Sequence, residues 1–161
     1  MCTTSFAHWI TLLCSVAEVD LDGVREALAA FPDTLLVEAT GDIYAIYDPD
    51  DDYAQRPRHG WATVVTSNAN DSASDLDRPG VYRLNIGLPR DRFHELLDPR
   101  AEHDMKAIDI LLPHPIYGGQ NWVCVLNPDR TWPLAQQLLV EAHAFAVRKH
   151  NNAARRRSQH R

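Results

Sequence analysis

The sequence predicts an α+β fold, a single antiparallel sheet with helices packed mainly on one face, and three observations carry that expectation. Helical and extended signals do not alternate in the regular order that a parallel βαβ sheet requires. Two short runs suited to strands, residues 35–37 and 42–47, flank Thr40-Gly41, which reads as a hairpin. In Val81-Tyr-Arg-Leu-Asn-Ile86 the apolar Tyr82, Leu84 and Ile86 share one face, while Arg83 and Asn85 share the other with Val81. One face is therefore core, and the other presents polar groups.

The elements follow in order. The first helix begins near Asp22, read as its N-cap, carries Val24, Leu28 and Phe31 on one stripe and stops at Pro32. After the hairpin, residues 48–57 form a polar loop. Trp61-Ala-Thr-Val-Val-Thr66 is rich in β-branched and aromatic residues and reads as a strand, and residues 67–79 form a long Asn/Asp/Ser loop. A short helix follows over residues 90–97 with Phe93, Leu96 and Leu97 inward, closed by Asp98-Pro99. Residues 105–112 mix helical and extended signals and stay unassigned. Pro113 and Pro115 force an extended path around His114, and Gly118-Gly119 adds a turn. Trp122-Val-Cys-Val-Leu126 is a buried strand, and a last helix from near Thr131 sets Leu134, Leu138, Ala142 and Phe145 on one face. The domain reading is an N-terminal extension (1–19), a single α+β domain (20–150) and a basic, frayed tail (151–161).

Composition narrows the function classes. A formal charge of −6 is too acidic for a general nucleic-acid binder, although Arg148, Lys149, Arg155, Arg156, Arg157 and Arg161 crowd one end. The cysteines, Cys2, Cys14 and Cys124, form neither a C-x-x-C pair nor an even disulfide set, which points to a reducing cytoplasm. The apolar stretch 6–17 lacks a preceding Lys or Arg and is too short to span a bilayer, so neither a signal peptide nor a membrane partner is expected. Dinucleotide, P-loop and α/β-hydrolase fingerprints are missing, and the acidic run 48–52 lacks the glycine and distal glutamate of an EF-hand loop. No cofactor and no metal is expected. A site built from His59, His103 and His114 has no metal-ligand spacing behind it.

The segment His114-Pro-Ile-Tyr-Gly-Gly-Gln-Asn-Trp122 concentrates the side chains able to do chemistry on a rigid backbone. His114 is the candidate acid or base, with Tyr117 as proton donor or orienter of a substrate oxygen. Arg83 and Asn85, two apart on a strand, point the same way and suit a carboxylate or phosphate; Gln120, Trp122, Trp61 and His59 complete the candidate binding set. The competing reading makes His114 a turn cap, Tyr117 and Trp122 packing groups, and the Arg83 face a solvated one.

Two long motifs, Asp77-Arg-Pro-Gly-Val-Tyr-Arg-Leu-Asn-Ile-Gly87 and His114-Pro-Ile-Tyr-Gly-Gly-Gln-Asn-Trp-Val-Cys-Val-Leu-Asn-Pro128, resemble the D-R-P-G-V-[FY]-R-[LV]-N-I-G and H-P-x-Y-x-x-Q-x-W-V-x-x-L-N-P patterns of an actinobacterial domain-of-unknown-function family. The order of elements is distantly similar to the MmcQ/YjbR group. The functional expectation is a small-molecule-binding protein or a cofactor-independent cyclase, isomerase or lyase, of the kind that tailors bacterial secondary metabolites, using acid-base or positioning catalysis. The alternative is a non-catalytic module that binds protein or DNA through the basic C-terminal end; a homodimer stays open at this stage.

Overall fold

The computed structural model describes residues 19–159. The apolar stretch 6–17, Cys2 and Cys14 lie outside the described residues. Six strands form one antiparallel sheet in the order β1-β2-β3-β4-β6-β5: β1 (Thr34–Ala39), β2 (Asp42–Tyr47), β3 (Ala62–Val65), β4 (Arg83–Gly87), β5 (Leu112–Pro113) and β6 (Trp122–Leu126). The first four strands run as a meander; β6 then pairs with β4, leaving β5 on the edge. Thr40 and Gly41, between β1 and β2, both have positive φ, 54° and 87°, as a two-residue primed hairpin turn requires.

Helices α1 (Leu21–Ala29) and α3 (Trp132–Gln159) lie against the sheet, and α2 (Arg90–Leu96) adds Phe93 to the same core. Alternation decides which side chains meet them. Ile43 and Ala45 of β2, Ala62 and Val64 of β3, Leu84 and Ile86 of β4 and Val123 of β6 pack with Val24 and Leu28 of α1 and Leu138, Leu139 and Ala142 of α3. The cap of α1 is Asp20 rather than Asp22: Asp20 Oδ1 accepts from the Gly23 amide at 2.8 Å. Asp22 sits in the first turn, where its charge suits the helix dipole.

The unassigned 105–112 stretch is an irregular connection that turns at Met105 and Lys106 and touches β6 through an Ile108–Leu126 bridge before entering β5. Its Asp109 holds the turn that leads into α3. The carboxylate accepts from the amides of Asp129, Arg130 and Thr131, from the Thr131 hydroxyl at 2.6 Å and from Arg130 Nε. Burial works against its charge, yet these donors hold the carboxyl well below the usual carboxylate range. At the other end, α3 spans residues up to Gln159, with residues 151–153 and 155–159 exposed. Among the described residues no helix is long and apolar enough to cross a membrane.

Candidate functional site

On β4, Arg83 and Asn85 point away from the helices, since Leu84 and Ile86 point toward them. Register sets their neighbours: Asn85 lies between Thr63 of β3 and Cys124 of β6, and Arg83 lies between Val65 and Leu126. This second face is covered too. The 67–79 loop folds back across it and buries Leu76 against Val65 and Leu126, with Val81 at the margin. It also delivers Asp71 and Ser74, leaving the Arg83 side chain 1% exposed and that of Asp71 10%.

Every nitrogen of the Arg83 guanidinium is engaged. Nη1 donates to Asp71 Oδ1 at 3.1 Å and to Ser74 Oγ at 2.8 Å, Nη2 to Asp71 Oδ2 at 2.7 Å, and Nε to Asn85 Oδ1 at 3.0 Å. Asn85 spends its Nδ2 on Thr63 Oγ1 at 2.9 Å. The bidentate guanidinium beside Asp71 lowers that carboxyl's pKa against the opposing effect of burial. The anion bound by Arg83 is thus supplied by the chain itself, while Asn85 bonds Arg83 and Thr63 and does not touch the carboxylate. Sequence reasoning missed Asp71, Ser74 and Thr63; the signal available was that a buried arginine needs a carboxylate, and the 67–79 loop holds three aspartates, Asp71, Asp75 and Asp77.

Next to this pair, β5 ends in the turn that begins at His114. The His114 amide donates to the Trp122 carbonyl at 2.9 Å, and its own carbonyl accepts from the Gly118 amide at 2.8 Å. Its ring turns back on the chain, so that Nδ1 accepts from the amides of Ile116 at 3.1 Å and Tyr117 at 3.0 Å. Burial first, and then the nearby Arg83 charge, push the imidazole pKa down to about 4, with Asp71 opposing. The ring is therefore neutral at pH 7, and with Nδ1 accepting, its proton sits on Nε2. Among the described residues no hydrogen-bond partner is present for that Nε2–H. The Tyr117 ring stands 5.0 Å from the imidazole and is 48% exposed, beside Ile116 at 58%.

The remaining candidates disperse. Gln120 is exposed in the short 3-10 turn Gly118–Gln120, and Asn121 closes that turn at φ 66°. Trp122 is half-buried with its indole over Gly87, where a Cβ would stand 3.0 Å from the ring. Trp61 belongs to the helix-side core, 5.0 Å from the Phe31 ring and 5.3 Å from that of His143. His59 is exposed in the loop before β3. Cys124, under the Arg83 layer, is fully buried, and burial pushes its thiol up to about 12. No group of three His, Cys, Asp or Glu among the described residues is placed to hold a metal.

These features define a class: an α+β protein whose sheet carries helices on one face and a loop-covered, charge-paired layer on the other, ending at a histidine-capped turn on the sheet edge. Within that class the chain belongs to the Family of unknown function (DUF6194), whose sequence model matches residues 19–157. No curated protein and no solved structure matches it.

Proposed function

We propose that this chain is a small-molecule-binding protein whose ligand is held at the His114–Tyr117 turn, with the His114 Nε2–H and the Tyr117 hydroxyl as polar anchors and Ile116 as apolar support. The observation that carries the reading is the fixed tautomer: two backbone amides occupy Nδ1, so the ring offers a single, oriented, uncharged donor. Such a donor suits a carbonyl or other neutral oxygen better than a carboxylate, which would lose its hydration at this buried ring with no free cation to offset it, Arg83 being paired with Asp71. Burial keeps the imidazole neutral, and the Arg83 charge adds to that effect.

The same geometry defines the chemistry of a catalytic extension of this reading. A general base needs a free lone pair, and His114 has none in this tautomer; it would act as an electrophile polarising a carbonyl, with Tyr117 as the proton donor. That is compatible with cofactor-independent cyclase, isomerase or lyase chemistry in bacterial secondary metabolism. The finer likeness to actinobacterial proteins bearing the two long motifs, the distant one to the MmcQ/YjbR group, and residence in a reducing cytoplasm belong to the same proposal.

The test is ligand-observed NMR with a panel of carbonyl and carboxylate fragments against the wild-type chain, His114→Asn and Tyr117→Phe. Asparagine keeps an acceptor near the Nδ1 position while deleting the Nε2–H. Carbonyl fragments should bind the wild-type chain and lose affinity about tenfold in His114→Asn, which corresponds to one buried hydrogen bond. Equal binding by all three chains would overturn the assignment.

A further inference from the structure

The charge of this protein is sorted along the chain. Residues 142–161 contain six of the 16 Lys and Arg and none of the 22 Asp and Glu, so the net −6 divides into +6 on this end and −12 on the rest. The structure converts that run into a shaped object. Helix α3 is anchored as far as His150, whose Nε2 pairs with Asp50 at 3.2 Å, and continues through Gln159 as an exposed rod. At about 1.5 Å per residue, the nine residues 151–159 extend roughly 13 Å.

The side chains on that rod follow helical spacing. Arg148, Asn151, Asn152 and Arg155 fall at i, i+3, i+4 and i+7, forming one stripe, and Arg155 Nη2 donates to Asn152 Oδ1 within it. Arg157 lies about 200° around the helix axis from Arg155, so the guanidiniums of these two residues fan to nearly opposite sides of the rod. A flat acidic protein face can pair only one side of such a fan. A groove with phosphates on both walls can pair all of it. Beyond His150 the only apolar side chains on the rod are Ala153 and Ala154, too small to anchor a helix in a lipid surface but suited to close approach to a groove floor.

We propose that the exposed end of α3 docks in the major groove of duplex DNA. The groove is about 12 Å wide and admits one α-helix. Arginine forks match phosphate oxygens and the guanine edge, and asparagine matches the adenine edge, which are the residue types of the stripe. The −12 body repels the phosphate backbone and so presents the molecule with this helix foremost. The inference is independent of any ligand at the His114 turn.

The experiment is fluorescence anisotropy with the full chain and a labelled duplex DNA of about 20 base pairs, titrated between about 50 and 200 mM salt. The wild-type chain should bind with a dissociation constant in the range of about 1 to 100 μM at the low-salt end. R155A/R156A/R157A should bind at least about tenfold more weakly, with a log-log salt slope shallower by about 2 to 3. Its circular dichroism spectrum should stay that of a folded helical protein, so that lost binding is not lost structure; R155K/R156K/R157K should keep most of the salt slope. Failure of the wild-type chain to bind at about 50 mM salt, unchanged binding by the alanine variant, or equal binding of duplex RNA, whose major groove is too narrow for a helix, would each overturn the proposal. So would binding to phosphatidylserine vesicles in preference to DNA.

Discussion

Removing Asp71 should be among the most destabilising single changes in this protein. Arginine does not release its proton at accessible pH, so an Asp71→Ala chain must keep the Arg83 cation where it is, 1% exposed, with only the neutral Ser74 and Asn85 oxygens as partners. Stranding one member of a buried pair costs about 3–5 kcal/mol. At roughly 2–4 °C per kcal/mol for a domain of this size, the melting temperature should fall by roughly 6–20 °C. Urea unfolding at pH 7 measures the free energy directly. The decisive comparison is Arg83→Met/Asp71→Ala, which removes both charges and should be less destabilised than Asp71→Ala alone. If Asp71→Ala loses under about 1 kcal/mol and the two changes are additive, the pair is solvated and the covering loop is not where it is described.

Acid offers a second readout of the same pair. The Asp71 carboxyl is lowered in the folded state, chiefly by its bonds to Arg83. A depressed carboxyl contributes its full stability above the unfolded value, about 3.9, and that contribution is lost as pH falls through the folded value. Asp71→Asn should therefore narrow the stability difference between pH 7 and pH 3.

Three further outcomes follow from particular contacts. His114 titrates at about 4 in the folded chain against about 6.5 unfolded, so stability should decline as pH falls from about 6.5 to about 4; equilibrium unfolding of His114→Asn should lack that slope, and nitrogen NMR at pH 7 should find the ring proton on Nε2. Asp109→Ala removes the acceptor that holds the turn leading into α3 and should cost at least about 2 kcal/mol in urea unfolding, with Asp109→Asn costing less because its amide oxygen still accepts. Gly87→Ala drives a Cβ to within 3.0 Å of the Trp122 indole and should cost about 1–3 kcal/mol, accompanied by a change in tryptophan fluorescence; an unchanged spectrum and midpoint would remove the Gly87–Trp122 contact from the account.

Most of the fold was legible because its signals are local. Thr40-Gly41 specified the hairpin through turn chemistry, and the two-residue period of residues 81–86 separated Leu84 and Ile86 from Arg83 and Asn85. The boundaries of β6 were readable from a β-rich run between Asn121 and Asn127, both of which adopt positive φ. The cap of α1 fell two residues earlier than the reading at Asp22, since two aspartates in the sequence Asp20-Leu-Asp22 compete for one role and only backbone geometry chooses between them.

The site was legible in a different measure. The turn-capping role that the sequence offered as the competing reading of His114 is visible in the bonds to Nδ1, but its protonation depends on burial first and then on the charge of Arg83, both set by tertiary structure. Trp61 and His59 read as partners of His114 because aromatic and imidazole groups attract that inference; the structure sends one into the helix-side core and leaves the other exposed.

By itself, then, the sequence determined most of the elements, the antiparallel class of the sheet and the two faces of β4, all consequences of backbone periods and turn residues within a few positions of one another, while β5 and the strand order came only with the assembled sheet. Tertiary structure alone decided what covers the polar face. Asp71 is 12 residues from Arg83, in a loop with no period of its own, and it becomes the partner only because the loop's path brings its carboxylate to a buried guanidinium that would otherwise be stranded. Burial and pairing of charge are properties of the assembled surface, so they settle whether an arginine binds a ligand or its own chain.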